Sequence, residues 1–417
     1  MLHLVPVRCL PVLLLAACSN PSPLTTQKGT TADLAIRDVR VFDGERVLEH
    51  HSVLVTDGRI TALDRAAVLE TQRAKHEVDG KGMTVLPGFI DSHTHVMDEA
   101  DLQTALQLGV TTEVDMMSIP ETSVKLARDE KATGRARVVP AGYAATAPGG
   151  HGTEYGIPVP TLTKPDEAKA YVASRIKEGS HHLKIIIDNG AAYGVKLPTL
   201  DAPTTKALTE AAHENKLLAV AHVGGADDVA TALAAKVDGL VHVPLAKLDA
   251  ATLDAIASGH MFVVPTLSVL ASGCGRKPGV ALTSDSRLAP RLTAATRENL
   301  GASFPFQIDR TACDQPAAIV GALRARHVSI LAGSDAPNPG TAHGATMHGE
   351  LELLVAAGLT PSEALAAATS VPARSFALAD LGVIRVRAIA DLLLVRGDPT
   401  TDIKATRAIE NVWRAGQ

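Results

Sequence analysis

Two hydrophobic patterns alternate along this chain. From about Asp33 to Thr84 the chain shows short β patterns, in Leu34 to Phe42, Val53 to Thr56 and Arg59 to Ala62. Asp57-Gly58 between the last two runs is a hairpin signal. A similar β-rich pattern returns around Ile389 to Val395 and Ala408 to Trp413. Between these stretches, short continuous apolar runs predict buried strands at Val85–His95, Val110–Met116, Arg137–Tyr143, Leu183–Asp188, Leu217–Val223, Gly239–Pro244, Met261–Leu267 and Ser329–Asp335. Helical spacing lies between them, as in Ala168–Lys177, Ala202–Glu214 and Ala226–Ala235.

Strand followed by helix, repeated, implies a parallel sheet and an α/β class. Eight such units predict a closed (β/α)8 TIM barrel over residues 85–377. The flanking β segments, 32–84 and 378–417, are expected to pair into one small β-sandwich domain built from both chain ends. No Gly-x-Gly-x-x-Gly follows the first strand, which weakens a dinucleotide-binding alternative. The stretch from Ala271 to Ala325 is long for one connection and predicts extra helices over the barrel mouth. A purely structural insertion is the alternative.

Composition narrows the function. The chain has 417 residues, 46% of them hydrophobic and 3% aromatic, with a net charge of -5. Neither a basic surface for nucleic acid nor a stacking platform for bases is available. Near the N-terminus, Leu10 to Ala17 is apolar apart from Pro11, and it is too short to span a bilayer. Leu15-Ala16-Ala17-Cys18 resembles a bacterial lipobox, so residues 1–18 read as a lipoprotein signal with Cys18 as the lipidated residue. An ordinary cleaved signal is the alternative. Residues 19–31 then form a tether, and the protein is expected to be exported, periplasmic or anchored to a membrane through that lipid. In an oxidising compartment, Cys274 and Cys313 either form a disulfide or stay as buried thiols; spacing alone leaves both open.

The chemistry gathers at strand ends. In His93-Thr94-His95 the two imidazoles stand at i and i+2, on one face of a strand. Lys184 interrupts the apolar Leu183-Lys184-Ile185-Ile186, and a buried lysine is rare unless paired or modified. His222, His242 and Asp335 each lie at or near the end of a later strand. Alone, each histidine reads as a core residue and Asp335 as a cap. Together they would meet at the C-terminal face of a barrel, where such folds place their sites.

These residues carry a resemblance. Pro87-Gly88-Phe89-Ile90-Asp91-Ser92-His93-Thr94-His95, Ala332-Gly333-Ser334-Asp335 and Ala390-Asp391-Leu392 are similar to motifs of the metal-dependent amidohydrolase superfamily, over essentially all of Asp33 to Gln417. Gly149-Gly150-His151-Gly152 and Lys184 resemble the imidazolonepropionase-related group with Xaa-Pro dipeptidases and ochratoxin-type amidases. Gly382 to Arg387 departs from the family's usual glycine and lysine. The resemblance implies that His93, His95 and Asp335 hold one metal and His222 and His242 a second. Lys184, carboxylated on its amine, would bridge them. It further implies hydrolysis by a bridging hydroxide, with Asp335 as general base and then acid. Zinc is the expected ion, and manganese, cobalt or iron fit the same donors.

The expected substrate is a small amide, a dipeptide or N-acyl amino acid. His151 is expected to contact its carbonyl, with Tyr143, Tyr155 and His343 as further binding candidates; packing is the alternative for His151 and the tyrosines, and a helix N-terminal contact for His343. Arg276 and Lys277 could receive a carboxylate, or be solvated loop charges. A lactonase or cyclic-amidine deaminase on the same site is the runner-up, and a noncatalytic binding lipoprotein the third reading. A homo-oligomer is compatible with the sequence.

Overall fold

The computed structural model describes residues 31–156, 158–304, 308 and 311–417. The expected signal, Cys18 and the tether up to residue 30 lie outside the described residues. Ala32–Gln417 forms one compact unit. Among the described residues, no helix is long and apolar enough to cross a membrane.

Strands β1 (Ala32–Phe42), β2 (Val47–Thr56), β3 (Arg59–Arg65), β4 (Ala74–Asp79) and β5 (Met83–Pro87) open the chain. Asp57 and Gly58 both take positive φ (50° and 74°), which suits the tight turn joining β2 and β3. Parallel strands β6 (Phe89–Thr94), β7 (Val110–Asp115), β8 (Arg137–Pro140), β9 (Leu183–Ile186), β10 (Ala219–His222), β11 (Gly239–Val241) and β12 (Phe262–Val264) alternate with helices. The chain closes with β13 (Leu392–Arg396) and β14 (Ile409–Trp413).

Both chain ends do meet. β5 pairs with β1 on one side and β13 on the other, in the order β14-β13-β5-β1-β2-β3 with β4 beside β1. Hydrogen bonds join all seven strands in one sheet, where a sandwich was expected. β1 accounts for this, because it pairs with β4 over Ala32–Arg37 and then with β5 at Arg40 and Val41.

The expected strand Val85–His95 is two strands. Residues up to Pro87 belong to the small sheet, and β6 begins the next one. Gly88 is the crossing point: its N–H donates to Asp391, while the Phe89 N–H donates to Gly109. A Cβ at Gly88 would lie 2.2 Å from the Thr111 methyl, so no side chain fits there. Both halves are buried, which makes one apolar run of two elements.

The parallel strands form a three-stranded sheet (β6-β7-β8) and a four-stranded one (β9 to β12). Isolated bridges Ala145↔Ile185, Val263↔Ile330 and Thr94↔Ala336 connect their edges. The last two come from the expected Ser329–Asp335 strand and from Ala336 just beyond it, a segment that runs between β12 and β6 through bonds such as Leu331 N–H to Val263 and Asp335 N–H to His93. Alternation sorts the faces. Leu183 and Ile185 pack outward with the helices, whereas Ile90, Val114, Val220, Val241, Val264 and Leu331 form a separate cluster with Phe376. Lys184 and His222 share the inward register.

Helices Leu267–Gly273, Pro278–Thr283, Ala294–Gly301 and Gln315–Arg324 fill the long connection after β12. Cys274 and Cys313 are joined, with a sequence separation of 39. The bond fastens the end of the first of these helices to the start of the last. Closing a loop of that size removes about 4 kcal/mol of unfolded-state entropy. Replacing both cysteines by serine should lower the urea-unfolding stability by roughly that amount. Equal stability of the two proteins would show that the bond restrains nothing.

Candidate active site

The site is assembled where β6 meets the segment before Asp335. The buried Asp91 carboxylate accepts from the N–H of His93 (3.2 Å) and of Ser334 (2.9 Å), stapling these two backbones together. Gly333 permits the contact, since a Cβ there would lie 2.5 Å from Val264 and 3.0 Å from the His93 Cβ. Asp335 follows with φ 56°, a left-handed conformation that aspartate adopts more readily than most residues.

Four imidazoles and one carboxylate converge. His95 Nε2 is 3.0 Å from Asp335 Oδ1, and His93 Nε2 is 3.4 Å from the same oxygen. His242 Nε2 lies 3.8 Å from Asp335 Oδ2. The His242 ring sits 4.9 Å from that of His93 and 4.5 Å from that of His222. His95 Nδ1 donates to the Met117 carbonyl, and His242 Nδ1 bonds to the Thr266 hydroxyl, which itself donates to the Pro265 carbonyl. These partners leave Nε2 of both rings as the lone-pair atom facing the cluster.

Burial dominates the electrostatics. It holds His93, His222 and His242 well below the ordinary histidine value, aided by neighbouring positive groups. Burial also opposes the Asp335 carboxylate, but the His95 hydrogen bond and the charges of His242, His95 and Lys184 outweigh it and keep its pKa low. Lys184 is pushed down to about 7 by burial, against the pull of Asp335 and Asp115. Its Nζ makes no hydrogen bond among the described residues, nor does His222 Nε2.

Neutral imidazole lone pairs and a carboxylate around one point suit a cation. His93, His95 and Asp335 have ligand atoms all within 4.8 Å of one another. A free ammonium on Lys184 fits that environment badly. A carbamate there would instead present oxygen donors.

Above the cluster lies a cavity of about 350 Å³, reached by His151, Glu154, Tyr155, His222, His242 and Asp335. His151 thus stands where it was expected, its ring 4.8 Å from that of His222 and its Nδ1 2.9 Å from Glu154. Tyr155 lines the same space.

Two binding candidates do not belong there. Tyr143 lies under the Arg175 guanidinium, 5.3 Å from its ring centroid, against helix Ala168–Glu178. The positive φ of Gly142 turns the chain at that point. His343 is buried with its Nδ1 3.0 Å from Glu113, a carboxylate on β7 with no solvent access. An ionised group so placed requires a counter-charge, and His343 supplies it. Arg276 pairs with Asp314 on the surface, 2.6 Å away, and does not line the cavity.

Sequence reasoning passed over several residues. Asp188 is buried with Oδ2 3.4 Å from His222 Nε2, and Asn338 donates to Asp335 Oδ1 at 2.9 Å. Asp188 ends a predicted strand, and that was its only signal. Asn338 lies one turn beyond Asp335 and could have been read as its partner.

The fold and this donor set define an α/β protein whose site suits a divalent metal. The chain belongs to the amidohydrolase family: a model described as "Amidohydrolase family" matches residues 84–417. Among curated relatives, imidazolonepropionase of Caldanaerobacter subterraneus subsp. tengcongensis is 35% identical over 17% of each chain. L-hydantoinase of Paenarthrobacter aurescens is 28% identical over 28% of each. The aligned parts therefore span well under a third of those relatives' own length.

Solved structures align far more completely. A putative prolidase from Bifidobacterium longum is 27% identical, with a TM-score of 0.74 over 93% of this chain and 94% of that one. A Xaa-Pro dipeptidase with bound methionine (22%, TM-score 0.73, 92% and 98%) and A. niger ochratoxinase (19%, 0.72, 93% and 95%) share the fold. That fold is the mixed α/β, TIM-barrel type of the amidohydrolases.

The His343–Glu113 pair has a pH signature. Burial opposes charge on His343, but Glu113, Asp101 and Asp91 outweigh it and hold the imidazole up at about 9. Its folded pKa lies above the unfolded value, so its stabilisation is complete below about 6.5 and lost as pH rises through 9. The loss is on the order of 3 kcal/mol. Histidine NMR titration should give His343 a midpoint well above the other imidazoles, and a midpoint near 6.5 would refute the pairing.

Proposed function

We propose that this protein is a metal-dependent hydrolase of amide C–N bonds in dipeptides or N-acyl amino acids, working with two divalent ions. The observation that carries this is the convergence of His93, His95, Lys184, His222, His242 and Asp335, with a buried Lys184 amine that has no hydrogen-bond partner among the described residues. His93, His95 and Asp335 would hold one ion, and His222 and His242 the other. Lys184, as a carbamate, would join them. Zinc suits these donors. When bound, the ions would lower the pKa of a water and polarise the scissile carbonyl.

The chain's own groups do the rest. Asp335 takes a proton from the attacking water and returns it to the amide nitrogen as the C–N bond breaks, giving a carboxylic acid and an amine. Asn338 orients that carboxylate through its hydrogen bond. His151, its ring fixed by Glu154, faces the substrate carbonyl and donates to it. Tyr155 borders the same space.

The parallel strands are read as one closed eight-stranded barrel, supported by the bridges at Ala145, Ile330 and Ala336. The sheet from both chain ends is read as its small companion domain. Export, with a lipid on Cys18 as the only membrane attachment, is supported by the Cys274–Cys313 disulfide, a bond that persists in oxidising compartments. Similarity to L-hydantoinase and to a dihydroorotase (32% identical over 26% of this chain) favours cyclic amides as a second substrate reading.

Metal analysis should find two divalent ions per chain, and less than one would refute the reading. Incubation with ¹³C-bicarbonate should give a carbamate carbon signal that Lys184→Ala abolishes; its absence from the wild type would remove the bridge. Asp335→Asn should keep the fold and most of the metal while turnover falls by about 10²- to 10⁴-fold. Near-wild-type turnover in that variant would exclude Asp335 as the proton carrier.

A further inference from the structure

The cavity has two unlike walls. One is polar and holds His151, His222, His242 and Asp335. The other is built from Val195, Leu197, Val269, Leu270, Phe304 and Ile308. The apolar wall comes from two separate parts of the chain. Val195 and Leu197 follow the turn Ala191–Tyr193, while Val269 and Leu270 lie on helix Leu267–Gly273. That helix is held firmly: Glu350 accepts from Leu267 N–H and Ser268 N–H at 2.8 Å each, and Cys274 just beyond it is tied to Cys313.

Charge separates the walls as well. The ionisable groups lining the cavity among the described residues are carboxylates, histidines and tyrosines, with no lysine or arginine. Of the two lining carboxylates, Glu154 is exposed and Asp335 buried, and His151 keeps the Glu154 pKa below the ordinary value despite partial desolvation. An anionic substituent would meet repulsion from Glu154. A cationic one would lose its hydration against six aliphatic or aromatic side chains, and the Glu154 carboxylate is already engaged by His151. An uncharged apolar group gains from being there. The volume, about 350 Å³, lies at the small end for ligand sites, which suits one compact substituent beside an amide and excludes a longer peptide.

We propose that the site selects amides whose variable side chain is an uncharged aryl or branched aliphatic group, which seats against Val195, Leu197, Val269 and Leu270, and that it rejects charged side chains. This rests on the amide-hydrolase reading and names its substrate class.

The test uses the metal-loaded full chain with N-acetyl amino acids and Gly-Xaa and Xaa-Gly dipeptides, with Phe, Leu, Gly, Glu or Lys as the variable residue. Binding is measured by calorimetry and turnover by amine release. Phe and Leu compounds should bind, and where cleaved turn over, about 10- to 200-fold better than the Gly compound of the same series. Glu and Lys compounds should rank at or below Gly. Binding that favours Glu, Lys or Gly overturns the proposal whether or not anything is cleaved. Correct ranking in binding with no hydrolysis of any compound refutes the amide-hydrolase reading and leaves the apolar selection standing. Val195 is 51% exposed, so Val195→Lys should fold. It should cut the Phe-to-Gly binding ratio at least tenfold, on the order of one methylene's worth. An unchanged ratio would remove the wall from substrate selection.

Discussion

A buried lysine amine with no hydrogen-bond partner among the described residues, close to four imidazoles, is the constraint around which this site is organised. A charged amine in that position is penalised by desolvation and by every neighbouring positive group. A neutral amine escapes the penalty but leaves a strong donor and acceptor unmet. The surrounding histidines face the same problem from the other side: burial strips His93, His222 and His242 of protons, and it opposes charge on His95 too, where Asp335 outweighs it. In the protein alone these groups have little to offer one another. Cations with a modified lysine between them would relieve these deficits together, and that mutual relief is the physical content of the proposed metal site.

Such a cluster stays in place only because its backbone is tied from outside. Asp91 binds the N–H groups of His93 and Ser334, so the strand ends that supply His93 and Asp335 move as one. Thr266 serves two structures. Its hydroxyl meets His242, and its left-handed backbone (φ 50°) starts the helix that carries Val269 and Leu270. Glu350, buried and pushed up to about 7 chiefly by burial, closes the same helix from below. The histidine of the polar cluster and the apolar wall are thus a few bonds apart.

Much of this was legible in the chain, for identifiable reasons. His93, His95, Lys184, His222 and His242 stand out because a polar residue inside a short apolar strand is conspicuous, and period-two alternation fixes its face. Helix Ala202–Glu214 was readable at both ends, its start marked by Asp201, which accepts from Thr204 N–H. What stayed hidden was non-local. The break at Gly88 depends on Thr111, and both flanking runs are equally apolar. His343 looked like a loop histidine because Glu113 lies 230 positions away in sequence. Tyr143 was placed by Arg175, on a helix that follows it. The cysteine pair needed a distance that only packing supplies; their Cα atoms are 5.9 Å apart. β4, with its polar Ala74–Asp79 run on the small sheet, carries no alternation to detect.

The division of the cavity into a polar and an apolar wall follows from the same architecture. Strand ends are rigid and few, and here they carry the proposed ligand and proton-transfer groups, whose positions tolerate little error. The apolar wall comes from loops and from the insertion after β12, segments that can change in sequence without moving a strand. Hydrophobic contact is non-directional, so a wall of valine, leucine, isoleucine and phenylalanine needs correct area and volume more than exact angles. Chemistry is therefore written in the strands and selectivity in the connections. Clamping helix Leu267–Gly273 with Glu350 at one end and a disulfide at the other makes the wall a preformed surface, so less ordering has to occur when a substrate arrives.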